Sequence, residues 1–181
     1  MATEHHFYMN TTAPRHELRD TLVQADIGLE AAPDWQDACL ALSAATNVTI
    51  FDDLGYHRFR PDNGVVATCS VTFCDRRLYL HGTEVWPDFE TQTVLGVLAL
   101  LNAYPQADAF WEAYDARLPV LLRREGRLVL AQALTKPGRF WDPERQPYRA
   151  LVDLPSTVEP LGPWEDVETG VQKPGHSPEC G

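Results

Sequence analysis

The chain has 181 residues, 44% of them hydrophobic, enough to bury one good core but hardly two. Its formal net charge of −11 argues against nucleic acid and anionic membrane as partners, since both call for a basic footprint. The opening MATEHHFYMNTT lacks the basic and apolar regions of a secretion signal, and the longest apolar run, 94–101, falls far short of the roughly 18 residues of a membrane span. These features lead us to expect a cytoplasmic protein.

Taken in order, the residues spell an α+β pattern. His6, Tyr8 and Asn10 alternate with His5, Phe7 and Met9, as in a half-buried strand. Thr11-Thr12-Ala13-Pro14 then opens a helix with Leu22 and Val23 in its body, ending near Gly28. Segments 39–42 and 48–51 flank Ala44-Ala45-Thr46-Asn47 and read as a hairpin with a four- or five-residue connection. After a polar loop over 52–64, residues 65–73 form the clearest strand. Ala67, Cys69, Val71 and Phe73 share one face, with Thr68, Ser70 and Thr72 on the other.

A second helix is expected from Pro87 or Asp88 to Asn102. Asp88 and Glu90 favour its positive end, and Phe89, Val94, Val97, Leu98 and Leu101 make a broad apolar stripe that should lie across the sheet. Segments 109–114, 120–124 and 128–132 read as three more strands, the last two joined tightly at Glu125-Gly126-Arg127. The fold expected is a largely antiparallel sheet with two helices on one face, forming a single domain over 1–155. Residues 156–181 read as an irregular Pro-, Gly- and acid-rich mobile tail.

The charge is unevenly spread. Residues 20–57 carry seven acids (Asp20, Asp26, Glu30, Asp34, Asp37, Asp52, Asp53) and no base, and residues 78–116 carry six acids and no base. Residues 117–149 reverse the sign, with eight bases against three acids. An acidic face of this kind speeds association with a basic partner and fixes its orientation.

No pattern for chemistry emerges. H-E-x-x-H, G-x-S-x-G, a P-loop and a Gly-rich dinucleotide turn are all missing from the sequence. His81-Gly82-Thr83-Glu84, with Asp88 downstream, occupies a connection where polar residues are expected anyway. His5 and His6 are adjacent strand residues, so they point to opposite faces and do not share a metal ion; Asp52-Asp53 lacks a third ligand at set spacing. The four cysteines, at 39, 69, 74 and 180, form no C-x-x-C pair. Neither a cofactor nor a metal is expected, and the chain reads as a binding protein rather than an enzyme.

The order of segments resembles a known family. Residues 4–12 (EHHFYMNTT), Gly28-Leu29-Glu30, the helix over 93–101, the hairpin over 120–130 and Phe140-Trp141-Asp142-Pro143-Glu144 are together similar to the Sit-type immunity proteins of myxobacteria and their relatives. Those small proteins protect a cell from a toxin passed between kin and carry no catalytic residues. The resemblance covers roughly 4–155 and implies stoichiometric neutralisation of a cognate protein toxin in the cytosol. Charge and aromatic content nominate Asp52, Asp53, Tyr56, Glu84, Trp86, Asp88 and Glu90 as its contact residues. Two other classes remain open: a small-ligand or enzymatic domain with a pocket between sheet and loops, and a self-associating subunit with a symmetric apolar interface.

Overall fold

A computed structural model of the chain describes residues 4–24, 29–30, 39–42, 46–52, 67–75, 87–113, 118–132 and 148–161. Its strands are β1 (Glu4–Met9), β2 (Leu29–Glu30), β3 (Cys39–Leu42), β4 (Thr46–Asp52), β5 (Cys69–Asp75), β6 (Ala109–Ala113), β7 (Leu118–Arg124), β8 (Arg127–Ala131) and β9 (Thr157–Glu159). The helices are α1 (Arg15–Gln24), α2 (Pro87–Ala103) and the short α3 (Tyr148–Val152). The strands form one sheet in the order β2-β3-β4-β5-β1-β6-β7-β8-β9. Every described pairing is antiparallel except β8 with β9, which is parallel. This is the α+β class expected from the pattern.

The first strand is the central one. β1 lies between β5 and β6, with Phe7 opposite Val71 on one side and Trp111 on the other. The alternation of β1 sends Phe7 and Met9 to the helix side, where they join Ile50, Cys69, Val71, Phe73, Ala109, Trp111 and Leu121. Leu18 and Leu22 of α1 and Phe89, Val94, Val97, Leu100 and Leu101 of α2 complete that core. The expected apolar stripe of α2 therefore does lie against the sheet. Contact is closest at Gly96: a Cβ there would stand 2.7 Å from Phe73 Cε1 and 3.4 Å from Leu22 Cδ2.

Arg123 fixes the far end of α2. Strand parity puts this buried residue on the helix side of β7, opposite Ala109. Its guanidinium donates to the carbonyls of Leu101 (2.7 Å), Tyr104 (2.5 Å) and Ala107 (2.7 Å). The last carbonyls of a helix have no partner within it and gather partial negative charge, so a cation there satisfies both needs. Burial pulls the Arg123 pKa below its ordinary value, with Asp108 nearby acting in the opposite sense. Asp108 also accepts the amide of Glu125 at 2.8 Å. That bond holds the β7–β8 turn, where Glu125 (φ 52°) and Gly126 (φ 75°) adopt the left-handed backbone of a two-residue hairpin.

Four expectations need correction. The β3–β4 connection is shorter than four residues, because β4 begins at Thr46, opposite Leu42; cross-strand pairing captured Thr46 and Asn47. β5 starts at Cys69 rather than 65, since the Thr68 amide and hydroxyl turn to Met9 and Thr11. The tail does not begin at 156, as β9 adds to the sheet and Leu161 packs on both apolar clusters. Finally, β1 is not half-buried: His5, Phe7 and Met9 on one side and Tyr8 on the other are all buried, as are Phe110 and Trp111, neighbours on β6 that face opposite sides. The expected extensions to Gly28 and Tyr114, and the tail beyond 161, lie outside the described residues.

Two substitutions test this packing. Arg123→Ala leaves buried carbonyls without a donor and should cost about 3 kcal/mol, read as a lower urea midpoint, with Arg123→Lys intermediate. Gly96→Ala gains about 1 kcal/mol in helix propensity but overpacks against the Phe73 ring, a cost of about 1–3 kcal/mol. We expect net destabilisation, partly relieved in the double variant Gly96→Ala, Phe73→Leu.

Candidate functional site

Of the seven nominated contact residues, Asp53, Tyr56, Glu84 and Trp86 lie outside the described residues, as do His81, Trp141 and Trp164. Asp52 ends β4 opposite Cys69, which in turn pairs with Met9. Asp88 and half-buried Glu90 share the first turn of α2. Between them Phe89 packs on His5, with ring centroids 5.6 Å apart. Asp52 thus belongs to the Met9 end of β1 and the acidic turn to the His5 end, four strand residues or roughly 13 Å away. Asp88 and Glu90 thus belong to one helix turn, and Asp52 lies on a strand at the other end of β1.

The two histidines separate as adjacent strand residues must. His5 enters the helix-side core, where its ring lies 5.6 Å from both Phe89 and Trp111, tilted by 52° and 53°. The Trp111 indole donates to His5 Nδ1 at 3.2 Å. Accepting that bond requires a lone pair on Nδ1, so the imidazole is neutral with its proton on Nε2. Burial lowers the His5 pKa to about 3, and the neighbouring His6 adds to the fall. One turn beyond Phe89, the fully buried Thr93 hydroxyl has no hydrogen-bond partner among the described residues.

His6 belongs to the opposite face, where a polar row crosses three strands: Thr72 on β5, His6 on β1 and Glu112 on β6. His6 Nδ1 is 3.0 Å from Thr72 Oγ1, and the Tyr8 hydroxyl donates to Glu112 Oε1 at 3.3 Å. The His6 and Tyr8 rings stack, with centroids 6.1 Å apart and planes at 23°. Ser70 and Cys74 share this face of β5, and Ser70, Thr72, Cys74, Tyr8 and Glu112 are all buried. Alongside lies an apolar patch of Ala67, Phe110, Leu122 and Val129.

An imidazole, a phenol, a carboxyl and hydroxyls in adjoining rows form a hydrogen-bonding surface able to orient a small polar molecule or to relay a proton. Sequence reasoning put Ser70 and Thr72 on a second face without marking that face as a site. The available signal was His6, Tyr8 and Glu112 on strands that otherwise bury large apolar residues. Among the described residues, no three His, Cys, Asp or Glu side chains gather as metal ligands, and no helix is long and apolar enough to cross a membrane. Comparison with family models, curated proteins and solved structures finds no match.

Both faces yield a stability test. The folded pKa of His5 lies below its unfolded value of 6.5, so the unfolded state binds the extra proton. Its contribution is fully present above pH 6.5 and is lost as pH falls from there towards 3, at no more than about 1.4 kcal/mol per pH unit. Unfolding titrations should show this slope between pH 6.5 and 5, above the carboxylate range, and a flatter one in His5→Gln. On the other face, Tyr8→Phe removes one donor from Glu112 and should lower stability by about 1–2 kcal/mol in urea melts.

Proposed function

We propose that this chain is an immunity protein that binds a cognate toxin in the cytoplasm and neutralises it by stoichiometric complex formation. The carrying observation is its charge: a net of −11 with two long stretches, 20–57 and 78–116, that contain acids and no base. In the basic region, Arg123 is buried under helix carbonyls, Arg127 pairs with Glu159, and Arg149 lies 3.8 Å from Asp153. These three bases are engaged locally, and on this reading the acidic stretches steer a basic partner.

Similarity to the Sit-type immunity proteins supports the same reading and adds the class of partner. The contact residues proposed are Asp52, Asp53, Tyr56, Glu84, Trp86, Asp88 and Glu90. Because Asp52 and the Asp88–Glu90 turn belong to opposite ends of β1, a toxin engaging both must span the sheet. Co-expression with the polypeptide encoded beside it tests the proposal. We expect rescued growth and a one-to-one complex, and about tenfold or greater loss of affinity on converting Asp52, Asp53, Glu84 and Asp88 to lysine. A neighbour that is harmless and does not co-purify refutes the immunity reading; unchanged affinity in the lysine variant refutes the contact assignment.

The polar row of Thr72, His6 and Glu112, with Tyr8 beside it, favours a second reading as a small-ligand domain. That reading expects saturable thermal stabilisation by a polar metabolite, lost in Glu112→Gln. A metabolite screen with no such shift removes it.

A further inference from the structure

Helix α2 is held unequally along its length. At its far end the Arg123 guanidinium donates to the carbonyls of Leu101, Tyr104 and Ala107, and Val97, Leu100 and Leu101 are buried in the core. The first half has fewer holds. Phe89 and Val94 enter the core there, but the buried Thr93 hydroxyl finds no hydrogen-bond partner among the described residues. A buried hydroxyl in that condition weakens the element that carries it. Between the halves stands Gly96, against the Phe73 ring. Glycine is the residue that a helix interior tolerates least after proline, so the helix parts most readily there.

The first half closes on one histidine. His5 is buried, and its ring lies 5.6 Å from both Phe89 and Trp111. Its Nδ1 accepts the Trp111 indole N–H at 3.2 Å, a bond that exists only while the imidazole is neutral. A second proton on the ring would sit on Nδ1 and set donor against donor. The surroundings do not welcome that charge: Phe89 and Trp111 are uncharged, and the ladder neighbours of His5 are Phe73 and Ala113. The charged group that acts on His5 is His6, which opposes a second positive charge, and Glu112 pairs with His6 on the other face. Asp88 and Glu90 adjoin Phe89 in the first turn of α2.

We propose that residues 87–95 are a latch released by acid: this half of α2 closes on neutral His5, and lifts from the sheet about Gly96 when that ring takes a second proton. The sign follows from the two states. Burial holds His5 at about 3 in the closed state, and exposure in the open one returns it towards 6.5, so the open state binds the extra proton. Closure is fully supported above pH 6.5 and is lost as pH falls from there towards 3. At about pH 4.5 the open fraction is about a hundredfold its value at neutral pH. Opening frees the turn that carries Asp88 and Glu90, yet the latch needs no partner and is independent of the toxin-binding reading.

Native-state hydrogen exchange of the full chain between about pH 7.5 and about pH 4.5 tests it. We expect the amides of residues 91–95 to be less protected than those of 98–103 throughout, and their protection to fall about a hundredfold across that range after correction for intrinsic exchange. In His5→Gln, whose side-chain oxygen can still accept the Trp111 indole, most of that fall should vanish. Should this variant misfold, the wild-type imidazole resonances decide, since His5 should remain neutral at about pH 5. Equal protection along the whole of α2, a fall that persists in folded His5→Gln, or a His5 ring that titrates near its ordinary value overturns the proposal.

Discussion

The guanidinium of Arg123 is the point on which the arrangement of layers depends. It hydrogen-bonds three carbonyls at the end of α2 and beyond while sitting on β7, so helix and sheet are joined by charge-assisted bonds as well as by apolar contact. Asp108 carries the constraint onward, since its carboxylate holds the amide of Glu125 and with it the β7–β8 turn. With that end fixed, α2 runs back over the sheet to the other end of β1. There the His5 ring meets Phe89 and Trp111 at tilted angles. Between these two anchors Gly96 lies against the Phe73 ring.

Placing β1 at the centre of the sheet has a chemical consequence. A central strand presents residues to two covered faces, and here the two are of different character. The helix side takes His5 as a neutral ring among aromatics, whereas the other side takes His6 into a row of hydrogen-bonding groups. Neighbouring histidines thus meet opposite environments because strand side chains alternate. The charge distribution is likewise partly structural: the basic region supplies the Arg123 cap and the Arg127 and Arg149 pairs, all local uses. The stretches 20–57 and 78–116 hold no base of their own, and Asp20, Asp108 and Glu112 find partners outside them.

Local features were legible where local physics decides them. The alternation of β1, the apolar stripe of α2 and the Glu125-Gly126 turn each carry their own signal, and each forms where that signal points. What escaped was set by distant contacts. β9 has only three residues and exists because β8 offers it a parallel edge. The β5-β1-β6 adjacency joins residues more than a hundred positions apart, such as His5 and Ala113, and it alone aligns Thr72, His6 and Glu112. The same long-range order puts Asp52 and the Asp88–Glu90 turn at opposite ends of β1, although charge alone grouped them. Ser70 and Thr72 were placed on a second face by alternation alone; that this face is buried too was set by contacts the local pattern does not carry.

The central claim is that an acidic surface draws this chain to a basic protein partner. The most direct test is the association rate with the polypeptide encoded beside it, followed by stopped-flow across a range of ionic strength. Steering predicts a rate that falls steeply as salt is added while the dissociation rate hardly changes. An association rate indifferent to salt would contradict the claim.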